Sequence, residues 1–180
     1  MSPREAAGGD ANDKISIRHA RPDDAESVRA VHIAAFGAHA EADLVDRLIA
    51  DGQAAISLVA VAGRRLVGHV FFSPLTVTGT VQPVRALSLA PLAVLPAWQQ
   101  QGIGSRLARE GIRSAEQGGI DAIIVLGVPG YYQRFGFAAG LAAKLRSPYN
   151  GPAFVALELT PGVLAAGGEL GYPDAFSHLT

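Results

Sequence analysis

One segment of the chain combines residue types at a spacing suited to chemistry: Leu92-Ala93-Val94-Leu95-Pro96-Ala97-Trp98-Gln99-Gln100-Gln101-Gly102-Ile103-Gly104-Ser105. It reads as a strand that ends, a tight loop, and a helix that begins. The first N–H groups of a helix have no partner within it and carry the positive end of its dipole. They can therefore hold an anion without any charged side chain. Glycine at 102 and 104 lets a bulky phosphate approach the main chain where a β-carbon would intrude. A Walker loop would need Gly-Lys-Ser/Thr, which is absent. A dinucleotide fingerprint would need a third glycine where Leu107 stands. The pattern that remains, Gln99-x-x-Gly102-x-Gly104, is either a phosphate site or a tight turn at a helix start.

The rest of the composition narrows the chemistry. The chain has 180 residues, 49% of them apolar and 17% charged, which suits one domain with a packed core. A net charge of −1 gives no electrostatic footprint for nucleic acid or anionic lipid. There is no cysteine, so disulfides and thiolate metal sites are excluded. His19, His32, His39, His69 and His178 show no close ligand spacing, and no metal is expected. Residues 1–13 carry Gly, Pro and charge without an apolar block, so a flexible leader is expected rather than a signal peptide or anchor. The longest apolar stretch, Ala86 to Ala97, is interrupted by Ser88, Pro91 and Pro96 and falls short of a membrane span. The expectation is a soluble cytoplasmic protein, with residues 14–180 as a single domain.

The loop must be positioned by its neighbours in sequence. Lys14 to His19 alternates as a short strand. Pro22, Asp23 and Asp24 start a helix whose face is Val28, Val31, His32 and Ala35. Leu44, Val45, Leu48 and Ile49 predict a second helix ending at Gly52. Residues 56–61 and 66–72, turning at Gly63-Arg64, read as an antiparallel hairpin. A further strand over 75–81 leads into 85–94, the most apolar strand, expected at the centre. A helix over about 105–117 carries Ile103, Leu107 and Ile112 on its buried side, with Gly118-Gly119 as its end. A strand over 121–126, a short helix near Tyr131–Arg134, a turn at Gly136 and a strand over 153–159 follow. The stretch 161–180, rich in Gly and Pro, is expected to be irregular. The fold class is α/β (α+β): a mixed sheet with helices on both faces.

A later segment sharpens the first. Leu126-Gly127-x-Pro129-x-Tyr131-Tyr132-x-Arg134-Phe135-Gly136-Phe137 places a tyrosine-bearing short helix after a strand and before a Gly-Phe turn. The two segments, in this order, resemble the GCN5-related N-acetyltransferase (GNAT) family, and the tyrosine-bearing one is similar to its YhbS-like subgroup. The resemblance spans roughly Lys14 to Leu159. It implies a mixed, mostly antiparallel twisted sheet with a splayed central strand pair. It implies acetyl-coenzyme A (acetyl-CoA) as co-substrate, with its pantetheine arm along Leu92, Ala93 and Val94. The pyrophosphate would lie on the loop formed by Gln99, Gln100, Gln101, Gly102, Ile103, Gly104 and Ser105. Tyr132 would protonate the departing thiolate, a transfer between groups of comparable basicity, with Tyr131 as its alternate. Arg134 would reach phosphate or cap its helix.

The implied reaction is transfer of an acetyl group to a primary amine of a small molecule or peptide, in a ternary complex; homodimers are frequent in the family. Two departures stand out. The asparagine many relatives carry before the tyrosine is missing from 125–130, and the strand over 85–94 has no acid, only Ser88. A base must come from elsewhere: Glu41 first, His69 second, or a solvent relay. The missing acid also keeps open a non-catalytic acyl-CoA sensor.

Overall fold

The computed structural model describes residues 14–179. The leader expected over 1–13 lies outside the described residues. Among the described residues, eight strands run in the order β1 (Ile15–His19), β2 (Ile56–Ala62), β3 (Arg65–Thr78), β4 (Ala86–Val94), β5 (Ala122–Leu126), β6 (Leu145–Arg146), β7 (Phe154–Glu158) and β8 (Gly168–Gly171). The helices are α1 (Ala25–Phe36), α2 (Ala40–Ala50), α3 (Ile103–Gln117), and the short α4 (Pro129–Tyr132) and α5 (Ala139–Ala142). The main sheet is ordered β1-β2-β3-β4-β5-β7; every neighbour is antiparallel except β4 and β5.

Alternation along β2 and β3 sorts the core onto two faces. Leu58, Ala60, Val70 and Phe72 meet Ile103 and Leu107 of α3. Val59 and Phe71 meet Val28, Leu44, Val45 and Leu48 of α1 and α2. Phe71 and Phe72 are fully buried, a burial that contributes about 2–3 kcal/mol per side chain. Helices thus cover both faces. Ile49, placed by its spacing on the buried side of α2, is 51% exposed and turns outward. A bidentate Arg18–Asp24 pair ties β1 to the turn of 3-10 helix that precedes α1.

The two strands expected over 66–72 and 75–81 are one strand of 14 residues. Pro74 looks like a break because proline cannot donate to a ladder. Its missing N–H costs little here. Pairing with β2 stops at Phe72, and pairing with β8 starts at Thr76, so Pro74 falls between partners on that side. The stretch beyond 161 is not irregular throughout: Gly168–Gly171 pairs with both β3 and β6. Thr76 Oγ1 and Thr78 Oγ1 donate to the Gly171 and Glu169 carbonyls across that junction.

β4 and β5 pair over only three residues, Ala86 to Ser88 against Ala122 to Ile124. Beyond Ser88 the strands part. β5 continues against β7 alone, and β4 continues to Val94 against β3 with a bulge near Ala90–Pro91. This is the splayed pair, and it leaves the far edge of β4 without a strand partner among the described residues.

Candidate acyl-transfer site

The splay opens onto two clefts. The first, about 520 Å³, lies at the loop end. Leu92 and Val94 of β4, with Gln99, Gln100, Gly102, Ile103, Gly104 and Ser105, form most of its wall; Tyr131 and Arg134 close it. All of these are among the residues singled out for the cofactor. Ala93 does not line it, since alternation turns its side chain into the core at 3% exposure. Gln101 does not line it either, its amide donating to the Ala97 carbonyl. Trp98, which carried no functional expectation, does.

The loop's shape comes from its main chain. Gln100 and Gly102 both take positive φ, 60° and 80°, in the left-handed region that only glycine adopts freely. The first bond of α3 runs from Arg106 N–H to the Gly102 carbonyl, so the N–H groups of Ile103, Gly104 and Ser105 have no helical acceptor. Gln99 lines the cleft with its side-chain amide turned to the main chain. Its Nε2 donates to the Val94 carbonyl at 2.9 Å, pinning the loop to the end of β4. A β-carbon at Gly104 would sit 3.0 Å from Tyr131 Oη. Gly104 therefore admits the tyrosine hydroxyl as well as any ligand.

Arg134 caps its helix while lying in the wall of the first cleft. Nε donates to the Tyr131 carbonyl at 2.9 Å, capping α4, and the guanidinium lies 4.4 Å over the Tyr131 ring. Nη1 reaches Ser105 Oγ at 3.5 Å, which itself sits 3.3 Å from Tyr131 Oη. Among the described residues, Arg134 is the one charged side chain lining this cleft, placed beside a helix N-terminus. Both features favour an anion. Unpaired β4 edge, free loop N–H groups and guanidinium together fit an extended amide-bearing arm that ends in a diphosphate.

The second cleft, about 760 Å³, adjoins the first: Leu92, Gln99 and Tyr131 line both. Tyr132, Glu41 and Ser88 open onto it. Tyr132 is 8% exposed. Its ring packs edge-to-face on Tyr131, Phe135 and Phe137. Burial, reinforced by the Tyr131 phenol, raises its pKa above the usual tyrosine value, so it stays protonated. Gly127 makes room for this ring, since a β-carbon there would come within 3.0 Å of Cδ2 and closer still to Cε2.

Glu41 stands in the first turn of α2, facing the cleft. His69, the other candidate base, is elsewhere. It is fully buried on β3, with Nδ1 2.8 Å from His32 Nε2 and Nε2 2.9 Å from Ser57 Oγ. It does not line the cleft. Desolvation lowers its pKa to about 3, helped by neighbouring His32, and lowers that of His32 to about 4. Both imidazoles are neutral structural groups.

Sequence reasoning missed an aromatic wall. Tyr149, Tyr172 and Phe176 line the second cleft, with ring centroids 5.0 and 5.2 Å apart along the series. Burial raises the Tyr172 pKa above the usual value. The available signal was three aromatics in a stretch otherwise rich in glycine and proline.

A splayed strand pair beside a helix start with free N–H groups is the geometry of this chain, and the acetyltransferase (GNAT) family model matches residues 25–137. The chain belongs to that family. It is 42% identical to the uncharacterized N-acetyltransferase YjhQ of Escherichia coli K12 over 116 residues, 63% of this chain and 64% of that protein. The chain therefore spans a little under two thirds of that relative. It is 36% identical to the uncharacterized N-acetyltransferase YhbS of the same organism over 136 residues, 75% of this chain and 80% of that one. The crystal structure of E. coli YhbS with CoA superposes at a TM-score of 0.85 and 33% identity, covering 93% and 94% of the two chains. A GNAT acetyltransferase from Brucella melitensis, solved with acetyl-CoA, superposes at 0.78 and 34% identity, covering 91% and 99%. Among the described residues no helix is long and apolar enough to cross a membrane, and no group of three or more His, Cys, Asp or Glu could hold a metal.

Proposed function

We propose that the protein transfers the acetyl group of acetyl-CoA to a primary amine, with both substrates bound together. The observation that carries the proposal is the junction of the two clefts at Leu92, Gln99 and Tyr131, on the β4 edge that β5 vacates. The N–H groups of Ile103 to Ser105, with Arg134, hold the diphosphate, and the free edge of β4 from Leu92 to Val94 holds the pantetheine amides. Acetyl-CoA supplies the activated acyl carbon at the junction. Fixing both reactants there removes much of the entropic barrier.

Glu41 takes a proton from the incoming ammonium and passes it to solvent, leaving a nucleophilic amine. The amine forms a C–N bond to the thioester carbonyl carbon, and the C–S bond breaks. Tyr132 gives its proton to the departing sulfur and recovers one from the nitrogen side through water. The products are an amide, a free thiol and one proton. Burial that weakens the Tyr132 phenol as an acid would also make a thiolate beside the same apolar side chains a stronger base, so the transfer stays matched.

Free-thiol release with acetyl-CoA and a panel of amines tests the reading. Thiol release that depends on an amine is expected. CoA binding by calorimetry with no thiol from any acceptor would replace the enzyme with a sensor.

A further inference from the structure

We infer that the acceptor is a singly charged amine on a compact apolar, ring-bearing body, an assignment that rests on the proposed acyl transfer. The charge follows from the second cleft's lining, in which Glu41 is the one acidic or basic side chain among the described residues. The other acids of α2 offer no further attraction. Asp43 and Asp46 are both taken by Arg29, at 2.7 and 2.6 Å. Glu41 has no cationic partner among the described residues. One ammonium is therefore matched by one carboxylate. A second would lose its hydration against Leu44, Leu126 and the aromatic wall with nothing to compensate it.

The apolar body follows from a separate observation. Phe36, Leu126 and Val128 line the cleft while 44%, 53% and 71% exposed. They are three of the five large apolar side chains left in water among the described residues. Concentrated apolar exposure at the rim of a cavity marks a surface that a ligand covers. Within, Tyr149, Tyr172 and Phe176 present ring faces and edges at the spacing of an aromatic cluster. A flat hydrocarbon ring suits the space between rim and wall with its ammonium at Glu41. Polyamines, aminoglycosides and lysine-rich peptides do not satisfy this lining.

The test compares acetyl-CoA turnover on 2-phenylethylamine, ethylamine, spermidine and a lysine-rich peptide. We expect kcat/KM for 2-phenylethylamine to exceed each of the others by about tenfold or more, as apolar pocket contacts of this extent give. Phe36→Ser, on the rim, should raise KM for 2-phenylethylamine about tenfold and KM for ethylamine far less. Preference for spermidine or the peptide would overturn the inference and leave the transferase reading intact. Faster turnover of octanoyl-CoA than acetyl-CoA would also overturn it, since the cleft would then house an acyl tail. Thiol release from no amine, with CoA still bound, would instead remove the reading beneath it.

Discussion

Replacing Gly127 with alanine tests the role of Tyr132 without deleting its hydroxyl. The added β-carbon would lie 3.0 Å from Tyr132 Cδ2 and closer to Cε2. Carbon atoms in contact settle about 3.5–4.0 Å apart, so the ring must retreat by about 1 Å. The main chain at 127 is poorly placed to yield, because its N–H donates to the Ala153 carbonyl at 2.9 Å. Phe135 and Phe137 flank the ring. A reacting group misplaced by ~1 Å costs about 100-fold in rate. Turnover of 2-phenylethylamine should fall by that factor, measured as thiol release at saturating acetyl-CoA. CoA affinity by calorimetry should stay near wild type, because Gly127 is outside the first cleft. Overpacking by one methyl costs ~1–3 kcal/mol, and a thermal melt checks that the variant is folded. A folded variant whose turnover stays within about twofold of wild type would refute the reasoning, since a ring that far displaced cannot deliver its proton equally well.

Further expectations separate the remaining parts. Tyr132→Phe should lower turnover about 100-fold or more with CoA affinity retained, as loss of a general acid does; in Tyr131→Phe, which lacks the hydroxyl near Ser105 Oγ, CoA affinity should weaken while turnover at saturation changes little. Gly102→Ala puts a β-carbon on a residue with φ of 80°. The left-handed penalty of about 1–2 kcal/mol should appear as roughly tenfold weaker CoA binding by calorimetry. Urea unfolding should show stability falling as pH drops from about 6.5 towards 4. In that window the unfolded chain protonates His32 and His69, while the folded chain, with pKa values of about 4 and 3, does not. Asp24, held at about 2 by the Arg18 hydrogen bonds, adds loss only below its ordinary value near 3.8. A flat profile between pH 6.5 and 4 would contradict the buried neutral pair.

Local signals made the donor half of the site legible. Gly102 and Gly104 announced a helix start, and α3 begins at Ile103, where its apolar stripe begins and two residues before the start expected near 105. Tyr132 stood out because a strand, a proline and a Gly-Phe turn bracket it. The acceptor half was hidden for physical reasons. Tyr172 and Phe176 gain their meaning only when β8 pairs with β3, a contact between residues far apart in sequence. Gly168–Gly171 has no alternation to betray a strand, and Pro74 disguised the continuity of the partner it joins. His69 shows the reverse error: a polar residue on a strand looked available, yet pairing with His32 and Ser57 consumes it.

The length of β3 has a consequence for how such a protein can change over time. One rod of 14 residues grips β4, and with it the seat of the donor, along one part. Its far end pairs with β8, which leads directly into Tyr172 and Phe176 in the wall of the second cleft. Substitutions at Tyr172 or Phe176 would therefore reshape the second cleft while the first keeps its walls. The chain is organised like a tool with a fixed handle and an exchangeable bit.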